Sequence, residues 1–175
     1  MRKSAFSKKG FTLVEILMVI VVISILSGIV MAASSYMTRL SRSKRLAVTK
    51  QVLETAIYRY RAEYGDWPLP ENKDYSDRDD VVFSGESNKE IFGALRMANK
   101  KRNPDGIQFI DETSVFTWND AKKHPIPLSE SLPRDAEVPL IYIDSNGKYK
   151  SESGRLNCYK VTFDFVEESV RVDLR

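Results

Sequence analysis

The strongest pattern along the chain is a dense apolar segment near its N-terminus. The 23 residues from Phe11 to Ala33 are almost all apolar, whereas later apolar residues are interleaved with polar ones. At about 1.5 Å per residue, a helix of that length is roughly 34 Å long, which is enough to cross the hydrocarbon core of a bilayer. The pattern therefore predicts a membrane-spanning helix over 11–33. A signal peptide cut near Met31-Ala32-Ala33, which would release a soluble protein, is the alternative.

A second pattern, with helical spacing, follows directly. Its apolar residues are spaced by seven, four, three and four positions, as on one helix face: Leu46, Leu53, Ile57, Tyr60 and Tyr64. Ala47 and Ala56 are expected to widen this stripe. No Pro or Gly interrupts 34–64, and Gly65 followed by Pro68 is typical of a helix end. The helix is therefore predicted to continue over 34–65, with its stripe against a globular domain.

The remaining residues predict a small α+β domain. We expect a surface loop over Pro70–Gly85, a short helix within Asn88–Asn99, and a turn at Asn103–Gly106. Ile107–Ile110 is expected to be a short strand or an extended segment. Four prolines make Pro125–Pro139 an expected irregular excursion.

The last third of the sequence predicts antiparallel strands. Leu140–Ile143 is expected to be a strand, Asp144–Gly147 a hairpin turn, and Lys148–Lys150 the returning segment. Cys158–Phe165 alternates apolar and polar residues. Val170, Val172 and Leu174 are expected to form its partner strand. Three or four such strands would close a core against the helix stripe.

The positive net charge of +3 hides opposite charges in different parts of the chain. The first ten residues contain four basic residues and no acid, and 34–64 contains seven basic and two acidic residues. From Gly65 onward, 16 basic and 21 acidic residues give a net charge of −5. Because the basic residues lie beside the apolar segment, they do not indicate nucleic-acid binding, and no nucleic-acid partner is expected.

Few residues suggest chemistry. The single cysteine, Cys158, excludes an intrachain disulfide and is predicted to be a small strand residue, and His124 has no partner at metal-ligand spacing. We find no nucleophile with a base and no phosphate-binding loop, so the chain is not expected to be an enzyme. The closest candidates for a calcium site are two groups of oxygen-bearing residues, Asp144–Gly147 and the cluster of Asp77, Asp79 and Asp80. Neither segment has the spacing of a complete oxygen cage, so no metal or other cofactor is predicted.

One charge interrupts the apolar segment. Glu15 lies four residues after Phe11, and a charge at the bilayer centre costs about 2.5–3.5 kcal/mol, so such residues usually have a function or a partner. The alternative is a position close enough to the interface to stay hydrated.

The sequence around Glu15, Lys8-Lys9-Gly10-Phe11-Thr12-Leu13-Val14-Glu15, resembles the class III signal of type IV pilins and type II secretion pseudopilins. The resemblance implies that prepilin peptidase cuts between Gly10 and Phe11 and methylates the new amino group of Phe11. It also implies that Glu15 pairs with the amino terminus of a neighbouring subunit during assembly. Residues 53–68, which end in Trp67-Pro68, are similar to the helix end of major pseudopilins.

The resemblance implies a pilin-like lollipop of the α+β class, in which a long N-terminal helix packs on a small antiparallel sheet. Its parts would be a cleaved basic leader (1–10), a transmembrane and assembly helix (11–33), the periplasmic half of the helix (34–65) and a globular head (66–175). Basic residues flank the apolar segment on both sides in nearly equal number. The positive-inside rule therefore does not decide by itself which end lies in the cytoplasm. The resemblance places the leader in the cytoplasm and the head in the periplasm.

The implied function is that of a structural subunit of a type II secretion pseudopilus or a related type IV pilus-like fibre in the periplasm. Its partners would be prepilin peptidase, other pseudopilin subunits, the inner-membrane secretion platform and membrane lipid. Two alternatives remain open at this point. One is a minor pilin of a type IV or DNA-uptake pilus, and the other is a binding protein with an ordinary single-pass membrane anchor.

Overall fold

A computed structural model describes residues 11–70, 75, 78–130 and 137–174. The elements in chain order are α1 (Leu13–Tyr64), β1 (Asp80–Ser84), α2 (Lys89–Leu95), β2 (Phe116–Asn119), β3 (His124–Pro127), β4 (Tyr159–Asp164) and β5 (Ser169–Leu174). Two short 3-10 helices lie at Gly85–Asn88 and Leu128–Glu130. The chain divides into two compact units, Met1–Leu40 and Ser41–Arg175. The α+β class, with a long N-terminal helix and a small antiparallel sheet, is confirmed.

In the first unit, every side chain from Phe11 to Leu40 is exposed. This part of α1 is long and apolar enough to cross a membrane, and the most apolar stretch of the helix buries nothing within the chain. The hydroxyl groups of Ser24, Ser34, Ser35 and Thr38 each donate to the carbonyl four residues earlier, as when Ser24 Oγ donates to the Ile20 carbonyl at 2.8 Å. Because these hydroxyl groups are satisfied within the helix and the apolar side chains are uncovered, this surface suits lipid or other apolar helices.

In the second unit, α1 contributes the predicted stripe to the core. Leu53, Ala56, Ile57 and Tyr60 are buried. Leu46 and Tyr64, at the ends of the stripe, pack half-buried against this core. Ala47 is exposed, so the expected widening at that position is wrong, since it lies one residue round the helix from the buried row.

The helix ends where its sequence predicts. Gly65 has a φ of 77°, the left-handed conformation that favours glycine, and its N–H donates to the Arg61 carbonyl at 2.8 Å.

The principal sheet has three antiparallel strands in the order β1-β4-β5. The predicted alternation in β4 is confirmed, because Tyr159, Val161 and Phe163 are buried in turn. Strand β5 buries Val170 and Val172 opposite Phe163 and Val161. Leu174 belongs to β5 as expected and is 40% exposed at the end of the strand.

The expected surface loop over Pro70–Gly85 contains strand β1. Val81 and Phe83 are buried and alternate with exposed residues, and Phe83 packs edge-on against Phe163 with ring centroids 5.9 Å apart. Only these two residues of the strand point inward, which is too short an alternation to indicate a strand. The acidic and turn-forming residues around them favoured a loop instead. What makes the segment a strand is its pairing with β4, about 80 residues later.

The proline-rich excursion expected at Pro125–Pro139 begins as a strand. Pro125 and Pro127 belong to β3, which pairs with β2 in a two-stranded sheet. Both strands of such a sheet are edge strands, where proline is tolerated. Residues 131–136 lie outside the described residues.

Leu140–Ile143 is not a full strand. Only Ile141 forms bridges, one to Phe116 and one to Cys158, so that the segment connects the two sheets. The turn that follows is confirmed, with the Gly147 N–H donating to the Asp144 carbonyl at 3.0 Å. The segment 148–150 returns as expected only at its start, where the Lys148 carbonyl accepts the Asp144 N–H at 2.8 Å.

The middle of the domain agrees largely with prediction. The helix expected within Asn88–Asn99 is α2, which buries Ile91, Phe92 and Leu95. Met97 lies beyond its end and is only half-buried. The turn at Asn103–Gly106 is present, and Ile107–Ile110 is extended but pairs with no strand among the described residues.

A polar face of α1 closes the outer edge of β5. The Val172 N–H donates to Glu54 Oε1 at 2.8 Å, and the Val170 N–H donates to the Tyr58 hydroxyl at 3.0 Å. Ion pairs lie at both ends of this row, Lys50 with Asp173 at 2.9 Å and Arg61 with Glu168 at 3.0 Å. Backbone donors that would otherwise leave the sheet edge open are thus bonded by helix side chains.

Because the whole core lies in the second unit, a chain beginning at Ser34 should be soluble, monomeric and folded. In that chain, Leu53→Ala or Ile57→Ala should lower the free energy of unfolding by about 2–5 kcal/mol, since both side chains are fully buried. Val48→Ala is the matched control: this residue of the same helix is 59% exposed, and its loss should change the free energy by less than about 0.5 kcal/mol. Urea unfolding measures all three. Equal small losses would place the stripe at the surface.

Candidate processing and assembly site

The residues singled out by sequence lie where α1 begins. Phe11 precedes the helix and is 77% exposed, and Glu15 lies in the first turn. Gly10 lies outside the described residues. The cleavage point and the methylation of Phe11 therefore stay predictions, as does the assembly role of Glu15.

Thr12 and Glu15 form a reciprocal cap at the start of α1. The Glu15 N–H donates to Thr12 Oγ1 at 3.2 Å, and the Thr12 N–H donates to Glu15 Oε2 at 3.4 Å. The Thr12 hydroxyl also donates to Glu15 Oε2, at 3.4 Å. This is the capping-box arrangement, in which a hydroxyl and a carboxylate three residues apart satisfy backbone donors that lack helical partners.

The cap gives Glu15 a role within its own chain. Its carboxylate lies in the first turn, where the partial positive charge of the helix terminus stabilises an anion. Our sequence reasoning treated Glu15 only as a partner for another subunit and did not identify Thr12. The signal was nevertheless present, because Thr followed three residues later by Glu before an apolar run is a helix-start signature.

The other groups considered for chemistry are placed apart. Cys158 is a buried thiol between the sheets, and His124 is exposed, with Nδ1 2.8 Å from the Pro125 carbonyl oxygen. Asp144 Oδ1 accepts the N–H groups of Asn146 and Lys148 at 2.9 and 2.7 Å. Asp77 lies outside the described residues. Within the described part of the chain, no three His, Cys, Asp or Glu residues come together in a way that could hold a metal ion.

Comparison with known proteins bears on this same N-terminal segment. Residues 6–31 match the prokaryotic N-terminal methylation motif. The match includes Gly10, Phe11 and Glu15 and covers 26 of the 175 residues. No curated protein and no solved structure matches the chain.

The chain thus has the N-terminal signal of a type IV pilin-like substrate of prepilin peptidase. Such a motif implies assembly with other pilin subunits, and the exposed apolar helix agrees with single-pass anchoring in the inner membrane. The choice between pseudopilus and pilus rests on residues beyond the motif.

The cap predicts a local effect of Thr12. Thr12→Val should destabilise the start of α1 by about 0.5–2 kcal/mol, because the Glu15 N–H loses its acceptor, whereas Thr12→Ser should keep it. Amide hydrogen exchange of Glu15, in the uncut chain in detergent micelles, measures this. Thr38→Val is the control, since the Thr38 hydroxyl only donates to the Ser34 carbonyl in mid-helix. Identical exchange in the Val and Ser variants of Thr12 would contradict the cap.

Proposed function

We propose that this protein is a structural subunit, without catalytic activity of its own, of a type II secretion pseudopilus or a related type IV pilus-like fibre. The observation that carries the proposal is the combination of the methylation motif at 6–31 with an apolar helical segment, up to residue 33, whose side chains are all exposed. A soluble enzyme would have no use for such a helix. A fibre subunit needs it twice, in lipid before assembly and against sister helices afterwards.

The position of the predicted cut supports a subunit that keeps its anchor. Cleavage after Gly10 precedes the apolar segment, so the span stays with the mature chain. The cut also removes four basic leader residues, which otherwise hold the N-terminus on the cytoplasmic side. What remains at the membrane is an apolar helix with a new ammonium group at Phe11 and a carboxylate at Glu15.

That ammonium group requires a carboxylate in an apolar environment. Along a straight helix, Glu15 is one turn away from the terminus of its own chain, but a neighbour displaced by about one turn presents its terminus at the right height. Buried ion pairs contribute little net stability yet can fix register, because a displaced arrangement leaves both charges unpaired. We infer that Glu15 sets the subunit register in this way.

The type II secretion machine is favoured over a pilus by the helix end. Residues 53–68 carry the pseudopilin-like ending, and here Trp67 packs on Tyr58 and Phe163 with ring centroids 5.7 and 5.5 Å away. Deleting the gene and measuring secretion, surface motility and DNA uptake in the same strain separates the machines. Loss of secretion alone is the expected outcome, and loss of motility or DNA uptake alone would indicate a pilus. The proposal requires no cofactor.

Processing is the direct test of the subunit class. The mature protein should begin at N-methyl-Phe11, as measured by mass spectrometry of the protein from native membranes. Gly10→Leu should leave the chain uncut, because the bulky side chain lies at the scissile bond. Gly28→Leu, in the same segment but with open space around the position, should be processed normally. A native N-terminus at Met1 or near Ser34 would exclude the pilin-like function.

Assembly tests the role of Glu15. Glu15→Ala should insert and be cut normally, since an apolar residue enters lipid more easily than a charge, but fibre formation should fail or slow strongly. Glu15→Asp should be intermediate, and Ser24→Ala, another polar-to-apolar change in the span, should assemble normally. Fibre yield is measured against membrane-bound mature protein in the same cells. Normal fibres from Glu15→Ala would rule out the pairing.

A further inference from the structure

The part of α1 in the second unit begins with uncompensated positive charge. Arg42, Lys44, Arg45 and Lys50 precede the first acid of that part, Glu54. Lys50 is used within the fold, where it pairs with Asp173 at 2.9 Å. Arg42 and Arg45 are exposed and form no ion pair with any residue that the structure describes. They lie three residues apart and therefore on one side of the helix.

A turn of the head adds more basic residues next to Arg42. A Cβ placed on Gly147 would lie 2.7 Å from Nη1 of Arg42, so the turn passes directly beside the guanidinium group. Lys148 and Lys150 follow this glycine, and both are exposed. Asp144 and Asp120 also lie here, where Asp144 accepts N–H groups of its own turn and Asp120 accepts the indole N–H of Trp118 at 3.1 Å. Neutral donors do not remove the charge of a carboxylate, so these acids offset part of the positive charge.

Two aromatic rings lie among these basic residues. Tyr149 stacks against Trp118 with ring centroids 5.3 Å apart, and Lys150 Nζ lies 5.0 Å from the centre of the Trp118 ring. Both rings are only half-buried. We call the set the basic–aromatic face: Arg42, Arg45, Trp118, Lys148, Tyr149 and Lys150.

The chemistry of this face matches a lipid headgroup layer. Lys and Arg are attracted to anionic lipid, and Trp and Tyr are enriched at the membrane–water interface because their rings have an apolar body and a polar edge. The position in the sequence agrees, because Arg42 follows Ala33, the last residue of the apolar segment, by only nine residues.

We propose that the basic–aromatic face docks on the anionic phospholipid surface of the membrane that holds the apolar segment. The inference rests on the anchoring part of the proposed function but not on fibre assembly. Before assembly, the face holds the head at the bilayer. On entry into a fibre these contacts are given up, so anionic lipid opposes extraction, whereas high ionic strength screens the contacts and eases it.

The test uses the full chain in lipid nanodiscs, with Trp118 fluorescence quenched by a headgroup spin-labelled lipid. Discs of neutral phosphatidylcholine are compared with discs that contain about one third phosphatidylglycerol. Quenching should be about twofold greater in the anionic discs, and about 0.5 M salt should abolish the difference. The chain has a second tryptophan, Trp67, which is buried, so Trp118→Phe should remove the response and identify its source.

A matched pair of double variants assigns the effect to the face. Lys148→Gln with Lys150→Gln should reduce quenching in anionic discs to the neutral level. Lys100→Gln with Lys101→Gln removes the same charge from exposed sites beside Arg102, whose carbonyl accepts the Tyr60 hydroxyl, and should leave quenching unchanged.

Equal quenching in both lipids, or equal loss in both double variants, would overturn the proposal. Co-purification with the discs reports anchoring separately. A chain that leaves the discs contradicts the proposed function, whereas an anchored chain without the lipid response contradicts only this inference.

Discussion

The contact between α1 and β5 is the interaction on which the head depends. A sheet of three short strands has little core of its own and two open edges. One row of α1, which includes Leu53 and Ile57, covers the sheet with buried apolar surface. The adjacent row, Glu54 and Tyr58, bonds the N–H groups of Val172 and Val170 along the edge. A rotation of the helix by one residue, about 100°, would lose both sets of contacts. The rotational position of α1 on the sheet is therefore fixed both by apolar packing and by hydrogen bonds.

The features predicted from sequence are those with a local cause. Helical spacing predicted the apolar stripe of α1, and Gly65 predicted the end of that helix. Strict alternation of apolar and polar residues predicted β4. The missed features depend on partners distant in the chain. Strand β1 has two inward residues and exists through β4, and the prolines of β3 are acceptable only because that strand lies at an edge. The bonds of Glu54 and Tyr58 to the strand edge have no signal in the sequence, because their partners Val172 and Val170 lie more than 100 residues later.

Buried polar residues were also beyond sequence reasoning. Arg96 is 1% exposed and pairs with Glu112 at 3.1 Å, which fixes the end of α2 against the following loop. Asn103 Nδ2 donates to the carbonyls of Ala94 and Ile107, at 2.9 and 2.6 Å. In a sequence, such residues look like ordinary surface positions. Their burial is stable because each polar atom of these contacts finds a partner, and that arrangement depends on where the loops cross.

The cap at the start of α1 resolves a difficulty in the proposed function. A carboxylate that serves only a future neighbour would be unpaired in the membrane-bound monomer, where desolvation is expensive. Glu15 avoids this state because Thr12 supplies an N–H and a hydroxyl, both at 3.4 Å. These bonds are long, and charge-assisted bonds to an ammonium group are shorter and stronger. The same carboxylate can therefore be satisfied alone and still exchange its cap for the terminus of an arriving subunit.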